Sequence, residues 1–553
     1  MNKIKEIIGS LVLVLLSVFG ITQHCFAQNK KLSYHDIKTD AAGKIIPWYS
    51  AETGKAYSHA IRSVWHFWDT MRIDLNGLPY YMNHQVWRPG INDPRGIAGS
   101  QFNMAMESWR LLYAYTGDER LKDNIKFMAD YTIANGFSSA GSKWPNLPFP
   151  YNTLLYSGKY DGDMVLGKNY LQPDKAGSFG LELVQLYKLI GSNSYQNVVG
   201  DQYLDIAVGI ANTLAGKMID GDADNSPLPF KVNTVTGETG QIYIEKGGVG
   251  LSSYTSNWSG TMELYLELIK LNKGNVGLYQ HAFDRMLAWM KKYPLGNNKW
   301  GPFFEDISIW SDTQINAITF AQFMMNHPAY FPEWKQQVKG IFEWVYSTMR
   351  NDSWKKYGVT VINEQTAYQI PGNSHTARQA AAELQYATLS GDTSFIENAI
   401  RQLNWATYMV NDDGRNRYPQ DDIWLTDGYG DYVRHYLSAM AALPSLAVCN
   451  EDHILSSTSV IQQADYKDNL IKGFEPAFKK PDAIQASLFY RTYDAAGKEV
   501  IFLLKKPSKV LLNKEASSEV NESTSQGFQW KKALKGGFLI IQRTNAKDVA
   551  IIQ

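Results

Sequence analysis

The sequence predicts a mainly helical protein: an (α/α)6 toroid, in which six helical hairpins close into a ring, followed by a small C-terminal antiparallel β-sandwich. Three observations predict this fold. Five helix–turn–helix units repeat between Gly96 and Asp412, and two further helical segments near the ends of that region can pair as a sixth hairpin. Beyond Asn450 the pattern changes to short runs of β-branched and aromatic residues.

The turns inside the five repeated hairpins are short and consist mainly of residues that favour turns. They are Thr116–Asp118, Gly191–Ser194, Asn272–Asn275, Asn326–Pro328 and Ser390–Asp392. The segments that connect one hairpin to the next are much longer. We therefore expect the short turns at one end of the ring, the short-turn end, and the long loops at the other, the long-loop rim. Binding and catalytic residues are expected on the long-loop rim.

Apolar residues at helical spacing define the paired segments, as with Phe102, Ala105, Trp109 and Leu112 in the first pair. The predicted pairs are Gln101–Tyr115 with Glu119–Ala134, Phe179–Ile190 with Gln202–Ala215, Ser259–Leu271 with Leu278–Lys292, Thr313–Met325 with Trp334–Arg350, Ala377–Leu389 with Ile396–Val410, and, from the two ends of the region, Ala56–Met71 with Asp431–Leu446. The alternative is an open helical solenoid, whose repeats would be more uniform in length than these.

The runs of β-branched and aromatic residues in the C-terminal part predict strands joined by turns, and Asp494–Gly497 is predicted to be a hairpin turn. The predicted strands are Ala486–Thr492, Val500–Lys505, Val510–Asn513, Gly527–Lys531, Gly537–Arg543 and Val549–Gln553. Because this part contains no cluster of catalytic residue types, we expect it to have an accessory role.

The N-terminus reads as a secretory signal. Lys3 and Lys5 precede an apolar run over Ile7–Ile21, and Cys25–Ala27 offers a small-residue cleavage site. The run is too short to predict a membrane span, so we expect a periplasmic or secreted protein. A length of 553 residues favours more than one domain. The predicted parts are a signal peptide over residues 1–27, a toroid catalytic domain over 28–450 and a β-sandwich over 451–553.

Composition narrows the class of partner. Lys+Arg and Asp+Glu are equal at 54 each, which argues against nucleic acid. The 16 Trp and 33 Tyr fall largely in loop-like segments, which favours a surface that faces carbohydrate; the alternative is packing in a large helical core. No metal site or cofactor is expected, since no metal-ligand spacing or phosphate loop is present. Asp220–Asp224 resembles the start of a calcium loop but lacks its later Gly and closing Glu.

Two kinds of sugar chemistry fit the long-loop rim. Glycoside hydrolysis needs two carboxyl groups, and the rim offers Asp161/Asp163, Glu305/Asp306 and Asp421/Asp422. Adjacent acids are, however, common on solvated loops. β-Elimination from a uronate needs positive charge or amides to neutralise the carboxylate, a base and an acid. The rim supplies Arg88, Arg95, Arg378, Arg415 and Arg417, the amides Asn257 and Asn373, the imidazoles His84 and His375, and the phenols Tyr254, Tyr368 and Tyr429.

These residues give the predicted site. Tyr254 is the expected base, and His375 or Tyr429 is the expected acid. The other expected substrate contacts are Asn257, Arg88, Arg95, His84, Trp87, Arg378 and Trp300. A capping or core role for His375 and a packing role for Tyr254 are the alternatives.

Within this layout, the segments Trp87-Arg88-Pro89-Gly90 and Asp427-Gly428-Tyr429-Gly430-Asp431-Tyr432 resemble the secreted (α/α)-toroid polysaccharide lyases of Bacteroidetes. Within that group the chain is most similar to the lyases that remove rhamnose capping glucuronate on arabinogalactan. The resemblance covers the toroid and the β-domain. It implies elimination assisted by Tyr or His in a cleft or pocket.

The leading prediction is therefore a polysaccharide lyase that cleaves the bond at C4 of a uronic acid by β-elimination, with rhamnose-α-1,4-glucuronate as one candidate linkage. A glycoside hydrolase that uses a carboxylate pair on the rim is the first alternative. A non-catalytic glycan-binding protein is the second. In all three cases the partner is a polysaccharide or oligosaccharide.

Overall fold

The computed structural model describes residues 35–84, 86–87, 101–191, 198–245, 248–303, 309–417, 424–467, 486–521 and 526–553. The predicted signal peptide lies outside these residues. Twelve helices of three turns or more occur within them: α1 (Thr53–Asp69), α2 (Phe102–Thr116), α3 (Glu119–Asn135), α4 (Pro173–Ile190), α5 (Val198–Lys217), α6 (Ser259–Lys270), α7 (Val276–Lys292), α8 (Gln314–Asn326), α9 (Trp334–Met349), α10 (Asn373–Ser390), α11 (Ile396–Thr407) and α12 (Thr426–Ala442).

The helices form a closed double ring. The even-numbered helices contact one another in the order α2, α4, α6, α8, α10, α12 and back to α2. Each odd-numbered helix packs outside its hairpin partner, and α1 packs against α12 to complete the sixth hairpin. The predicted toroid of six hairpins is thus confirmed, and the contact between α12 and α2 rules out an open solenoid.

Ring closure depends on a close approach of backbones. A Cβ on Gly430 of α12 would lie 2.8 Å from the backbone nitrogen of Ala105 on α2, nearer than real Cβ atoms come. The hydroxyl of Ser108 donates a hydrogen bond to the carbonyl of Gly430 at the same crossing. Glycine therefore lets the last inner helix seat against the first.

Helix starts differ most from the prediction. Helix α4 begins at Pro173, six residues before the predicted Phe179, because proline suits the first turn of a helix. The extra turns contain Ala176, Gly177 and Ser178, which carry no apolar periodicity. Helix α12 begins at Thr426 and not at the predicted Asp431. Both added segments are rich in polar or small residues, so the apolar periodicity that marks the rest of each helix is absent from them.

Aromatic side chains fill the space between the helices. Trp68, Trp109, Trp258, Trp300 and Trp405 are fully buried. Burial of one large aromatic side chain stabilises a fold by about 2–3 kcal/mol. These five tryptophans therefore pack in the helical core and do not form a surface that faces carbohydrate.

Short antiparallel strand pairs connect the loops of the ring. They are Val86–Trp87 with Trp424–Leu425, Gly162–Asp163 with Gly167–Lys168, Tyr170–Leu171 with Val232–Asn233, Gln241–Glu245 with Gly248–Leu251, and Arg350–Asn351 with Val361–Ile362. The first pair links the loop that follows α1 to the loop that precedes α12.

The C-terminal region forms two antiparallel sheets. Its strands are β1 (His453–Ser457), β2 (Ile461–Tyr466), β3 (Leu488–Thr492), β4 (Gly497–Leu503), β5 (Lys509–Leu512), β6 (Glu515–Ala516), β7 (Gly527–Lys532), β8 (Gly537–Arg543) and β9 (Asp548–Ile552). One sheet has the order β1-β4-β8-β7 and the other β2-β3-β9-β5-β6. The phenol of Tyr490 lies 3.2 Å from the Glu499 carboxylate, so side chains of the two sheets meet. All six predicted strands are present, and β1, β2 and β6 were not predicted.

The sheets pack against the short-turn end of the ring. The Tyr466 hydroxyl donates to the Ala114 carbonyl at 2.5 Å, and the Gln462 amide donates to the Lys188 carbonyl at 2.7 Å. These contacts lie near the turns of the first two hairpins. The long-loop rim therefore lies away from the sheets. None of the described helices is long and apolar enough to cross a membrane.

Candidate active site in the bore

The space enclosed by the six inner helices, called here the bore, contains a cavity of about 480 Å³. All six inner helices contribute residues to its wall, as do Asn257 and Phe303 from the loops before α6 and α8. Carboxyl, guanidinium, amide and hydroxyl groups predominate, and the ionisable members are Glu107, Glu182, Glu263, Arg378, Arg434 and His435. A volume of this size suits a small ligand or one or two sugar units.

An ion-pair network lies at one side of this cavity. Arg434 pairs with Glu107 of α2 and with Asp431, one turn earlier on α12. Asp431 also pairs with Arg378 of α10. Arg378 in turn donates to the Gln314 amide oxygen at 2.8 Å. The network thus ties α2, α8, α10 and α12 together across the ring.

Glu107 is kept ionised by this network. Burial alone would raise the pKa of its carboxyl group, but the charges of Arg434 and Arg110 outweigh burial and lower that pKa. The pKa of Asp431 lies well below its ordinary value, since Arg378 and Arg434 likewise outweigh its burial. Two ionised carboxylates and two guanidinium groups therefore face each other beside the bore.

Glu182 behaves in the opposite way. Its carboxyl group is buried on α4, and burial together with the charge of Glu107 raises its pKa to about 7. The distance between Arg110 Nε and Glu182 Oε2 is 3.5 Å, and the charge of this arginine only partly offsets the rise in pKa. Near neutral pH, Glu107 is therefore ionised whereas Glu182 in the same cavity is about half protonated.

His435 adds a neutral imidazole. Its Nε2 lies 3.1 Å from the Asp431 carboxylate, yet burial lowers its pKa to about 4, and Arg378 and Arg434 add to the lowering. The ring is consequently uncharged near pH 7 and can accept a proton.

A polar cluster lies where the bore meets the long-loop rim. The Asn257 amide donates to the Asp174 carboxylate at 2.7 Å, and Asn257 lines the cavity. Burial raises the pKa of Asp174, against the opposing charge of Lys175, 3.7 Å away. The fixed amide leaves the Asn257 carbonyl oxygen as an acceptor beside the cavity.

Of the ten residues predicted for the site, Asn257 and Arg378 line the cavity. Tyr254 does not line it. Its hydroxyl donates to the Lys299 carbonyl at 2.5 Å, and its ring packs against Trp289 and Trp310. Burial raises the pKa of this phenol, and the charges of Asp312 and Asp224 raise it further. These features oppose the loss of a proton that a base requires.

His375 and Tyr429, the predicted acids, are both buried. Burial and the charge of Arg378 lower the pKa of His375 well below its ordinary value, so the imidazole is neutral and holds no extra proton to donate. The Tyr429 hydroxyl accepts a hydrogen bond from the backbone nitrogen of Asn416 at 3.1 Å, and its ring stacks on Phe67. Neither residue lines the described cavity.

The three remaining described predictions lie in packed surroundings. His84 pairs with Asp74 at 3.0 Å and stacks on Tyr80. Trp87 contacts Tyr80 edge to face. Trp300 is fully buried, with its backbone carbonyl accepting from Ser256.

Several predicted rim residues lie outside the described residues, namely Arg88, Arg95, Glu305, Asp306, Asp421 and Asp422. The remaining acid pair is described. Asp163 is fully buried in an ion pair with Lys231 at 2.9 Å, and Asp161 accepts from the backbone nitrogen of Thr153 at 3.0 Å. Both carboxylates therefore stabilise the loops of the rim through contacts within the chain.

Sequence reasoning missed Glu107, Glu182, Arg434 and His435. They lie on inner helices and not on the loops that were searched. The available signal was a charged residue on the face of a helix that otherwise packs inward, as with Glu107 and Arg110 three residues apart on α2. Asp431, Arg434 and His435 repeat that spacing on α12.

Among the described residues, no three His, Cys, Asp or Glu side chains are grouped as a metal site would require. Asp222, in the segment that resembles a calcium loop, accepts from the backbone nitrogens of Asp224 and Asn225 at 2.8 Å. Asp224 pairs with Lys299. These carboxylates therefore have partners within the chain.

No protein-family model matches the sequence, and no curated protein matches it. Among solved structures, the chain is similar to a cellobiose 2-epimerase from Spirochaeta thermophila, at 11% identity, with a TM-score of 0.53 over 71% of this chain and 97% of that one. It is also similar to a sugar epimerase from a ruminal bacterium, at 14% identity, with a TM-score of 0.51 over 69% and 98%. A polysaccharide lyase matches at 12% identity over 71% and 99%, with a TM-score of 0.41, which is too low to support an inference.

At 11% and 14% sequence identity, the likeness to the two epimerases shows the fold alone. The matched proteins act on carbohydrates, as the predicted resemblance to toroid enzymes implied. The narrower resemblance to rhamnosyl-glucuronate lyases stays a prediction.

Proposed function

We propose that this chain is a carbohydrate-active enzyme that cleaves a glycosidic bond of a uronate-containing glycan within the bore, with Glu182 as the proton donor. The observation that carries the proposal is the opposite pKa shift of two carboxyl groups in one cavity, upward for Glu182 and downward for Glu107. An acid and a base must be in different protonation states at the same pH. Carboxyl groups whose pKa values are pushed apart meet that condition.

Hydrolysis is the reaction that this pair supports best. Protonated Glu182 donates its proton to the glycosidic oxygen as the bond to the anomeric carbon breaks. Ionised Glu107, held by Arg434, takes a proton from the attacking water or attacks the anomeric carbon itself. A carboxylate of low pKa is a weak base toward a C–H bond, but it suffices to stabilise and trap an oxocarbenium-like centre.

β-Elimination is the second candidate, and His435 is the observation that favours it. The neutral imidazole, a weak base because its pKa is lowered to about 4, can accept the C5 proton of a uronate when Arg378 pairs with the uronate carboxylate and makes this proton more acidic. The electron pair of the C–H bond then forms the C4–C5 double bond as the bond from C4 to oxygen breaks. Glu182 again protonates the departing oxygen.

A sugar substrate is supported by the lining of the cavity and by the names of the matched proteins. Amides such as Asn103 and Asn257 and hydroxyls such as Ser178 and Ser259 can exchange hydrogen bonds with sugar hydroxyls. Asn257 and Arg378 remain proposed substrate contacts. A purely glycan-binding role would not require the split pKa values of Glu182 and Glu107.

The N-terminal sequence leads us to propose that the enzyme is exported. Lys3, Lys5 and the apolar run that follows support processing as a signal peptide and a periplasmic or secreted enzyme. The proposed catalytic domain is residues 28–450, and residues 451–553 form an accessory domain.

The products distinguish the two candidate reactions. The purified chain is incubated with glucuronate-bearing arabinogalactan and with other uronate polysaccharides, and both reducing ends and absorbance near about 235 nm are followed, since elimination creates a conjugated unsaturated uronate. New reducing ends without new absorbance support hydrolysis, and both signals together support elimination. If neither signal is found with any uronate glycan, that result contradicts the proposed function.

A further inference from the structure

The cavity continues beyond the Glu182 region to the opposite end of the ring. Both Ile315 in the first turn of α8 and Asn326 at its last residue line it. Eleven residues of helix span about 16 Å. Asn326 is exposed to solvent, so the bore opens at the short-turn end. The sheets contact α2, α4 and α12, whereas this opening lies beside α6, α8 and α10.

Five side chains surround this opening, and they are called here the short-turn subsite: Glu263, Gln322, Phe323, Asn326 and Gln385. Gln385 Nε2 donates a hydrogen bond to the side-chain oxygen Oδ1 of Asn326 at 2.8 Å. His327 contacts Glu263 Oε1 at 2.7 Å. These contacts fix the orientation of three of the polar groups.

The fixed groups leave a matched set of hydrogen-bonding atoms. Asn326 Nδ2 is a donor, whereas Gln385 Oε1 and Glu263 Oε2 are acceptors. Within the described part of the chain, none of these three atoms has a hydrogen-bond partner. Phe323 contributes a buried apolar ring to the same wall. Sugar hydroxyls both donate and accept hydrogen bonds, so this set of atoms matches them.

We propose that the short-turn subsite binds a neutral saccharide unit, separate from the Glu182 site. Along α10, Arg378 of the ion-pair network and Gln385 of the short-turn subsite are seven residues apart, or about 10 Å. The carboxylate of Glu263 favours hydroxyl donors and disfavours an anionic sugar. The class of ligand rests on the proposed function, but the site itself does not depend on which reaction Glu182 performs.

The test uses the full chain with Glu182→Gln, so that binding is measured without turnover. D-Glucose, D-galactose, L-rhamnose and D-glucuronate are titrated separately, and binding is followed by saturation-transfer NMR and calorimetry. At least one neutral sugar is expected to bind more tightly than glucuronate. Adding Asn326→Ala and Gln385→Ala is expected to weaken that binding at least tenfold. Adding Gln280→Ala, an exposed amide on outer helix α7, is the matched control and should leave it unchanged.

Two results overturn the proposal: no neutral sugar binds, or the Asn326→Ala/Gln385→Ala change leaves binding intact. Thermal unfolding of each variant, together with single Asn326→Ala, separates loss of binding from loss of fold. Failure of the proposed function looks different. In that case the unmodified chain cleaves no glycan, whereas binding at the short-turn subsite is judged from the titration alone.

Discussion

The Glu182 carboxyl group lies 3.5 Å from the Arg110 guanidinium, and its pKa is nevertheless raised to about 7. An arginine at that distance ordinarily lowers a carboxyl pKa. Burial on α4 and the negative charge of Glu107 together outweigh it. The charge of the same arginine helps to keep Glu107 ionised, so one guanidinium group acts on both carboxyl groups.

The pH dependence of turnover should follow these two groups. The protonated fraction of Glu182 falls as the pH rises through about 7, so kcat/KM should decline above that value. On the acid side, activity should persist below the ordinary carboxyl pKa, because the pKa of Glu107 is lowered. Initial rates across pH 4–9, with stability checked at each pH, measure this profile. Activity that is constant from about pH 6 to 9 would argue against Glu182 as the acid.

Arg434 should be essential for stability. Arg434→Met would leave Glu107 and Asp431 without their shared partner, and breaking such a network costs about 3 kcal/mol or more. Arg120→Met is the matched control, because Arg120 is 46% exposed and its ion pairs are worth less than about 1 kcal/mol. Denaturant unfolding of both variants gives the comparison. Equal losses in the two would contradict the structural role of the network.

Glu383 offers a test of burial without catalysis. This carboxyl group of α10 is fully buried, does not line the cavity, and has its pKa raised by burial to about 8. The folded state therefore holds a proton that the unfolded state has lost. Its contribution to stability is complete below the ordinary carboxyl pKa and falls as the pH rises toward about 8.

Glu383→Gln should remove that dependence. The variant should unfold at a higher temperature than the unmodified chain at pH 8, and the difference should shrink toward pH 5. Thermal unfolding at both pH values gives the answer. A variant that is less stable at pH 8 would mean that Glu383 is ionised in the fold.

Gly117 tests the packing of the sheets on the ring. Its φ of 72° is left-handed, and an added Cβ would lie 2.5 Å from the Ala464 carbonyl oxygen. Gly391, in the turn of the fifth hairpin, has a similar φ of 83° with open space around it. Gly391→Ala should cost about 1 kcal/mol of backbone strain, and Gly117→Ala should cost at least about 2 kcal/mol because of the added clash. Equal costs would mean that the sheets do not press on this turn.

The ring was predictable because hairpins repeat. Short turns such as Ser390–Asp392 and apolar faces such as that of α2 carry strong local signals. Strands β1 and β2 were missed because half of their residues, such as Ser457 and Gln463, are polar and interrupt the pattern. Their pairing is set by contact with α2 and the other strands, which is not local information.

The site was harder to predict because its charges lie inside the ring. Glu107 and Arg434 are far apart in sequence, and each alone resembles a residue on a solvated helix face. Their contact depends on the closure of α12 onto α2, which no local pattern states. Conversely, Tyr254 and Trp300 lie in loops but are buried in the core, which loop position alone does not indicate.

The central claim is that Glu182 supplies the proton for glycosidic cleavage, and Glu182→Gln tests it most directly. On whichever uronate glycan the unmodified chain cleaves, this variant should lose about 100-fold or more in kcat, while Glu383→Gln, which also replaces a buried carboxyl group on an inner helix, should keep its activity. Circular dichroism and thermal unfolding establish that both variants are folded. A folded Glu182→Gln variant that retains full activity would contradict the account.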